Sequence, residues 1–251
     1  MWFTYSLLII MGFLIGILAS TIGIGGGVLF VPTLYFIFGL EIHNAIGTSL
    51  LAILFLSSSA AYRYFKQKQI NYKVAFLLET PTAIGAYLSS IISHMIPGEI
   101  IKILFAVVLY IASVELIRKQ KIETGNNDLE VNVTRGRIIL GMIISFTAGL
   151  IAGSTGISGG VIKTPTMIIV VGLPTKIAIG TSSLMVFFTA LAGVIGHSQV
   201  QHVNYIYGCF LGIGAMIGAQ IGARLCLRVR SRILRILLGV ILIIVATRML
   251  I

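Results

Sequence analysis

The sequence predicts an all-α integral membrane protein: about ten helical segments, arranged as two inverted five-segment repeats with glycine-broken, spanning or re-entrant helices. Three observations carry this expectation. The chain is poor in charge, it aligns with itself after a shift of 133 residues, and its basic loops fall at opposite places in the two copies.

The shortage of charge sets the class. Of 251 residues, 57% are hydrophobic and only 10% are charged, with 18 Lys and Arg against seven Asp and Glu. Mean hydropathy is +1.06. A soluble domain carries roughly a quarter charged residues, so a water-soluble globule is excluded. Two cysteines, Cys209 and Cys226, are too few for a disulfide framework. The net charge of +11 does not point to nucleic acid, because the apolar runs leave no room for such a fold and loop placement accounts for it.

Loops and glycines divide the apolar stretches into segments near 3–21, 27–39, 44–62, 74–93, 100–117, 138–154, 160–172, 177–196, 203–223 and 232–250. A crossing of roughly 30 Å needs about 20 residues. Segments 27–39 and 160–172 reach only about 20 Å at ~1.5 Å per residue, and both follow a glycine cluster. The first segment lacks the basic start of a cleaved signal peptide. The polar stretch 119–136, with Gly125-Asn126-Asn127-Asp128, reads as a linker between a first repeat at 1–118 and a second at 137–251.

The repeat is visible residue by residue. Gly23-Ile24-Gly25-Gly26-Gly27-Val28 lies over Gly156-Ile157-Ser158-Gly159-Gly160-Val161, and Pro32-Thr33 over Pro165-Thr166. Ala45-Ile46-Gly47-Thr48-Ser49 lies over Ala178-Ile179-Gly180-Thr181-Ser182. Between 23 and 49, 14 of 27 pairs are identical, which establishes duplication. Loop 63–73 carries Arg63, Lys66, Lys68 and Lys73, whereas its mate 196–206 carries no Lys or Arg. Loop 224–235 has five arginines, whereas its mate 91–102 has only Lys102. Basic short loops stay cytoplasmic, so equivalent loops face opposite sides, with linker 119–136 cytoplasmic and both termini outside.

Inverted repeats with broken helices are the architecture of secondary transporters. Non-helical backbone at membrane depth survives only where it is buried in protein or lines a cavity. A helix restarting at Val28 or Val161 directs free N–H groups at its glycine break, and such a terminus attracts anions. The expected substrate site therefore comprises Gly25, Gly26, Gly27 and Val28 with Ser158, Gly159, Gly160 and Val161. It also takes in the hydroxyls Thr48, Ser49, Thr181 and Ser182, whose alternative role is helix packing. Lys163, in the first turn of the restarted helix, either meets the anion or snorkels to the interface; Phe30 is its repeat mate. Glu79, beside the Pro81 kink, is a candidate for proton coupling or a paired carboxylate near the interface. Asn71 and Asn204 read as N-caps, and Gly214, Gly218 and Gly222 as a packing face. His197 and His202 read as solvated residues of an outer loop.

Two motifs point elsewhere. Gly23-Ile24-Gly25-Gly26-Gly27 resembles a dinucleotide fingerprint but has no strand before it. Gly156-Ile157-Ser158-Gly159-Gly160 fits G-x-S-x-G and resembles the nucleophile motif of rhomboid intramembrane proteases, with His197 as base. Its mate Gly25 makes backbone need the better explanation. No catalytic residue, metal site or cofactor is expected.

The twice-occurring Gly-Ile-(Gly/Ser)-Gly-Gly-Val…Pro-Thr, followed by Ala-Ile-Gly-Thr-Ser, resembles the TauE/SafE sulfite exporter family over essentially the whole chain. The resemblance implies a carrier of sulfite, sulfoacetate or related sulfonates in a cell inner membrane, moving them by alternating access with proton coupling. A passive anion channel is the alternative. The implied partners are a small anion and the lipid bilayer, with a homodimer as an open option and no nucleic acid. Lys163 and Glu79 come from the residues themselves, not from the resemblance.

Overall fold

The computed structural model describes residues 2–22, 25–118, 135–157, 159–225 and 231–250. In chain order the helices are α1 (Trp2–Ile22), α2 (Gly27–Pro32), α3 (Ile42–Lys66), α4 (Tyr72–Ile92), α5 (Gly98–Arg118), α6 (Arg135–Thr155), α7 (Gly160–Thr166), α8 (Thr175–Gln199), α9 (Tyr205–Leu225) and α10 (Ser231–Leu250). Among the described residues no strand forms. Among the described residues, six helices are long and apolar enough to cross a membrane: α1, α3, α4, α6, α8 and α9. Ile84, Leu88, Ile143, Ile213 and Ile244 are exposed on the outside, so the protein is apolar on its surface as well as in its core. That is the pattern of helices solvated by lipid. The chain is an all-α, multi-pass membrane protein.

The two short helices owe their shape to proline. α2 runs into a π-helical turn at Thr33–Ile37, and α7 into one at Met167–Val171. Pro32 and Pro165 lack an N–H, and their rings crowd the carbonyl four residues back. The residue after each proline adds a side-chain bond within the same turn: Thr33 Oγ1 donates to the Leu29 carbonyl at 2.7 Å, and Thr166 Oγ1 to Ile162 at 2.8 Å. Gly39 (φ +67°) and Gly172 (φ +84°) then end the two stretches in the left-handed region, which glycine adopts without strain. Residues 27–37 and 160–171 thus form apolar helices of about 17 Å, near half the ~30 Å core.

Helix packing follows the internal duplication. α3 and α8 are the most buried spans and pack on each other. α9 lies against α1 and α3, α4 lies against α6 and α8, and α5 pairs with α10; shifting by 133 residues exchanges these pairings. Close approach is made by glycine. A Cβ on Gly214, Gly218 or Gly222 would strike the carbonyls of Ile9, Phe13 and Ile17 on α1. The expected caps are present too: Asn71 Oδ1 accepts from Val74 N–H and Asn204 Oδ1 from Tyr207 N–H, each at 3.1 Å.

The central helices exceed the expected 44–62 and 177–196, reaching Ile42–Lys66 and Thr175–Gln199. His197 is therefore not in a solvated loop. It sits in the last turn of α8 with no exposed surface, and its Nε2–H donates to the Gly153 carbonyl of α6 at 2.8 Å. Docking on α6 lets a polar tail continue as helix. Gly23, Ile24, Ser158, residues 119–134 of the linker, Cys226, Arg228 and Arg230 lie outside the described residues.

Candidate functional site

Both glycine clusters interrupt helices. α1 stops at Ile22 and α2 begins at Gly27, with Gly25 at φ +80° between them; α6 stops at Thr155 and α7 begins at Gly160, with Gly156 and Gly159 at φ +70° and +67°. A side chain at such φ values costs roughly 1–2 kcal/mol. The interruptions touch. A Cβ on Gly27 would lie 2.8 Å from Ile157 Cα and closer still to the Gly156 carbonyl oxygen. Ser49, on α3, directs its hydroxyl at the Ile46 carbonyl (2.8 Å) and the Gly156 carbonyl (3.3 Å). Gly26, Val28, Gly159, Gly160 and Val161 are all buried around this junction.

Helical side chains lean toward their own N-terminus, so the residue four places past each break folds back over it. In the first half that residue is Phe30, whose ring covers Gly26; in the second it is Lys163, whose Cε lies 3.3 Å from where a Cβ on Gly159 would stand. Lys163 does not snorkel. It is 1% exposed, and its Nζ forms an ion pair with Glu79 Oε2 on α4 at 2.8 Å. Nζ also donates to Thr189 Oγ1 on α8, and Thr189 Oγ1 donates to Glu79 Oε1 at 2.5 Å. The three side chains close a triangle without net charge.

Depth and burial explain why the triangle must close. Thr189 is ten residues before the end of α8 at Gln199, about 15 Å along the axis and hence near mid-span. An unpaired ion there would cost several kcal/mol in desolvation; carboxylate, ammonium and hydroxyl satisfy one another instead. Glu79 is 4% exposed, so it is a paired carboxylate inside the protein, not at an interface. α4 accommodates it beside Pro81, where Thr80 and Thr82 bond the carbonyls of Phe76 and Leu78. Chemically, the triangle holds a cation able to receive an anion and a carboxylate able to receive a proton.

A small cavity adjoins the first break. It is lined in part by Ser20, Gly25, Leu56, Ser57, Ser182 and Val186, with room for about one or two water molecules. The Ser20 hydroxyl is buried there with no hydrogen-bond partner among the described residues, whereas Ser57 bonds the Ile53 carbonyl at 2.7 Å. Of the expected residues, Gly25 and Ser182 meet in this cavity. Thr48 and Thr181 do not: Thr48 Oγ1 accepts the Asn204 N–H at 2.9 Å, and Thr181 Oγ1 accepts the Asn71 N–H at 3.0 Å. They fasten α3 to the start of α9 and α8 to the start of α4. Thr189, Ser20 and Ser57 are the residues that sequence reasoning missed. A signal for Thr189 was present, since Ser182, Val186, Thr189 and Gly193 follow one helical face.

Among the described residues, no group of three His, Cys, Asp or Glu side chains is arranged to hold a metal ion. The family model described as sulfite exporter TauE/SafE matches residues 8–249. The chain is 28% identical over 231 residues to the probable membrane transporter protein YunE of Bacillus subtilis, covering 84% of this chain and 85% of that protein. It is 32% identical over 210 residues to a probable membrane transporter protein of Methanocaldococcus jannaschii, covering 80% and 75% respectively. No solved structure matches the chain. A duplicated Gly-rich break in an all-α membrane fold, matched almost from end to end by one family model, places the chain in the TauE/SafE sulfite exporter family of membrane transporters.

Proposed function

We propose that this protein is a proton-coupled secondary carrier that moves small sulfur-containing anions, such as sulfite, sulfoacetate or related sulfonates, across the cell inner membrane by alternating access. One observation carries the reading: a lysine buried near mid-span, beside a helix break, is held by a carboxylate from another helix. The anion binds where the two glycine breaks meet. Lys163 supplies charge, the N–H groups around Gly26–Val28 and Gly160–Val161 supply partial charge, and Ser49, Ser158 and Ser182 supply hydroxyls. Thr48 and Thr181 hold the frame around it. Glu79 takes the proton. The halves are oppositely oriented, with linker 119–136 cytoplasmic and both termini outside, so rocking one against the other exposes the junction to each side in turn.

Proteoliposomes reconstituted with the full chain test this reading. Saturable uptake of sulfite or sulfoacetate, accelerated by an imposed pH gradient, is the expected outcome. Flux that never saturates and ignores the pH gradient would indicate a channel, and no flux of either anion at any pH would remove the reading altogether.

A further inference from the structure

Resting on the carrier reading, we propose that Glu79 stands in for the substrate at Lys163, so that each anion enters the site only together with one proton. Charge and geometry argue for it. Among the described residues, the one ion-pair partner of Lys163 is Glu79, at 2.8 Å, and both side chains are almost wholly withdrawn from solvent. Thr189 closes the third side by bonding both of them. An anion reaching the ammonium therefore finds its place taken by a carboxylate. Adding it beside an ionised Glu79 would leave two negative charges against one positive in a site that excludes water, which the low local dielectric opposes.

One proton resolves the conflict. When Glu79 binds it, the pair Lys163–NH₃⁺···⁻OOC–Glu79 becomes Lys163–NH₃⁺···anion plus a neutral Glu79 carboxylic acid. The acid has gained an O–H donor that can point at the anion, and the Thr189 hydroxyl is released from Glu79 Oε1 to do the same. On the far side the anion leaves, Glu79 gives up its proton to water, and the ion pair re-forms. The repeat-related positions are Phe30, Leu56 and Gly212, none of which ionises, so the described residues hold one such exchange point and the ratio is one proton per anion. A monoanion then crosses without net charge, and a dianion carries one net negative charge.

Calorimetry on the purified full chain tests this without any variant. Sulfoacetate, a dianion throughout neutral pH, is titrated in buffers of differing ionisation enthalpy. Uptake of one proton per bound anion is expected; saturable binding with no proton uptake would overturn the inference and leave the carrier reading standing. In proteoliposomes, E79Q should lose the proton movement that accompanies sulfoacetate flux, and K163M should lose the sulfoacetate flux itself. An E79Q protein that still co-transports protons in the wild-type ratio would overturn it. Absence of sulfoacetate and sulfite binding and flux in the wild-type protein would instead defeat the carrier reading itself.

Discussion

Two places related by the 133-residue shift differ sharply in chemistry. Around the second break, Lys163 and Thr189 of the second half meet Glu79 of the first in a buried polar triangle. Around the first break, the corresponding Phe30 and Leu56 are buried apolar side chains, and a Cβ on Gly212, the mate of Glu79, would meet the Phe55 ring at 2.6 Å. The surrounding frame is nevertheless the same. Both breaks are followed by a proline-threonine π-helical turn, and both central helices offer a threonine to an asparagine N–H across the molecule. Duplication preserved the scaffold, while charge was kept at one site. The proposed binding and coupling therefore fall at the second break, whose repeat mate is apolar.

The largest expected effect lies at the polar triangle. K163M should abolish sulfite and sulfoacetate flux and strand Glu79 as a buried unpaired charge, at a cost of about 3–5 kcal/mol. Thermal melting in detergent should show that loss, and K163M combined with E79Q should recover much of the stability but none of the transport. If K163M transports normally, the contrast between the two sites has no functional meaning.

The junction between the halves comes next. In G27A the new methyl group would meet the Gly156 carbonyl and Ile157 Cα, forcing the two breaks apart. A destabilisation of about 1–3 kcal/mol from overpacking and at least a tenfold fall in flux are expected. Gly39 is the control: a Cβ there meets nothing within 4 Å, so G39A should cost roughly 1–2 kcal/mol through its positive φ alone and leave flux near normal.

T48V and T181V test the shared frame. Each removes the acceptor for one asparagine N–H, and each should cost about 1–2 kcal/mol, nearly equally in the two halves. Denaturation series on both variants would check this; a cost confined to one half would mean that the frames are not equivalent.

The smallest effect concerns a second asymmetry. His202 lies near His43 and His197, with ring centroids 5.2 and 6.3 Å away, whereas the repeat mates of these three residues are Gln69, Lys176 and Tyr64. Burial first, then the neighbouring His43 and His94, hold His202 below the usual histidine range, against the pull of Glu41. A lowered histidine favours the neutral folded form, so stability is full above the unfolded value of about 6.5 and declines as pH falls through it. H202Q, which copies Gln69, should flatten that decline in melts compared at about pH 5.5 and about pH 7.5. An unchanged slope would discharge His202 from the effect.

Much of this architecture was legible in the chain because bilayer solvation leaves a coarse signature. Apolar length located the spans, and glycine clusters located the interruptions to within a residue or two: 27–39 and 160–172 were expected, and helices at 27–37 and 160–171 are observed. Lys163 and Glu79 stood out singly as ionisable groups in apolar surroundings. Their meeting did not, because they are 84 residues apart and in different halves, and only the packing of both α4 and α7 on α6 and α8 brings them together. Thr48 and Thr181 show the converse. A hydroxyl beside a glycine reads alike whether it faces a ligand or a neighbouring helix, and here the partner is the backbone of Asn204 or Asn71. His197 was misplaced because a polar helix end resembles a loop until something is found to bury it.

The π-helical turns after Pro32 and Pro165 have a mechanical consequence. Relative to an α-helix, a π turn stores one surplus residue; returning it to α register would swing the following backbone by roughly 100° and advance it by about 1.5 Å. Each half-length helix thus has a reserve of slack beyond its proline and is pinned at its far end by a left-handed glycine, Gly39 or Gly172. A change of that register would move Lys163, mounted three residues into such a helix, relative to the long spans around it.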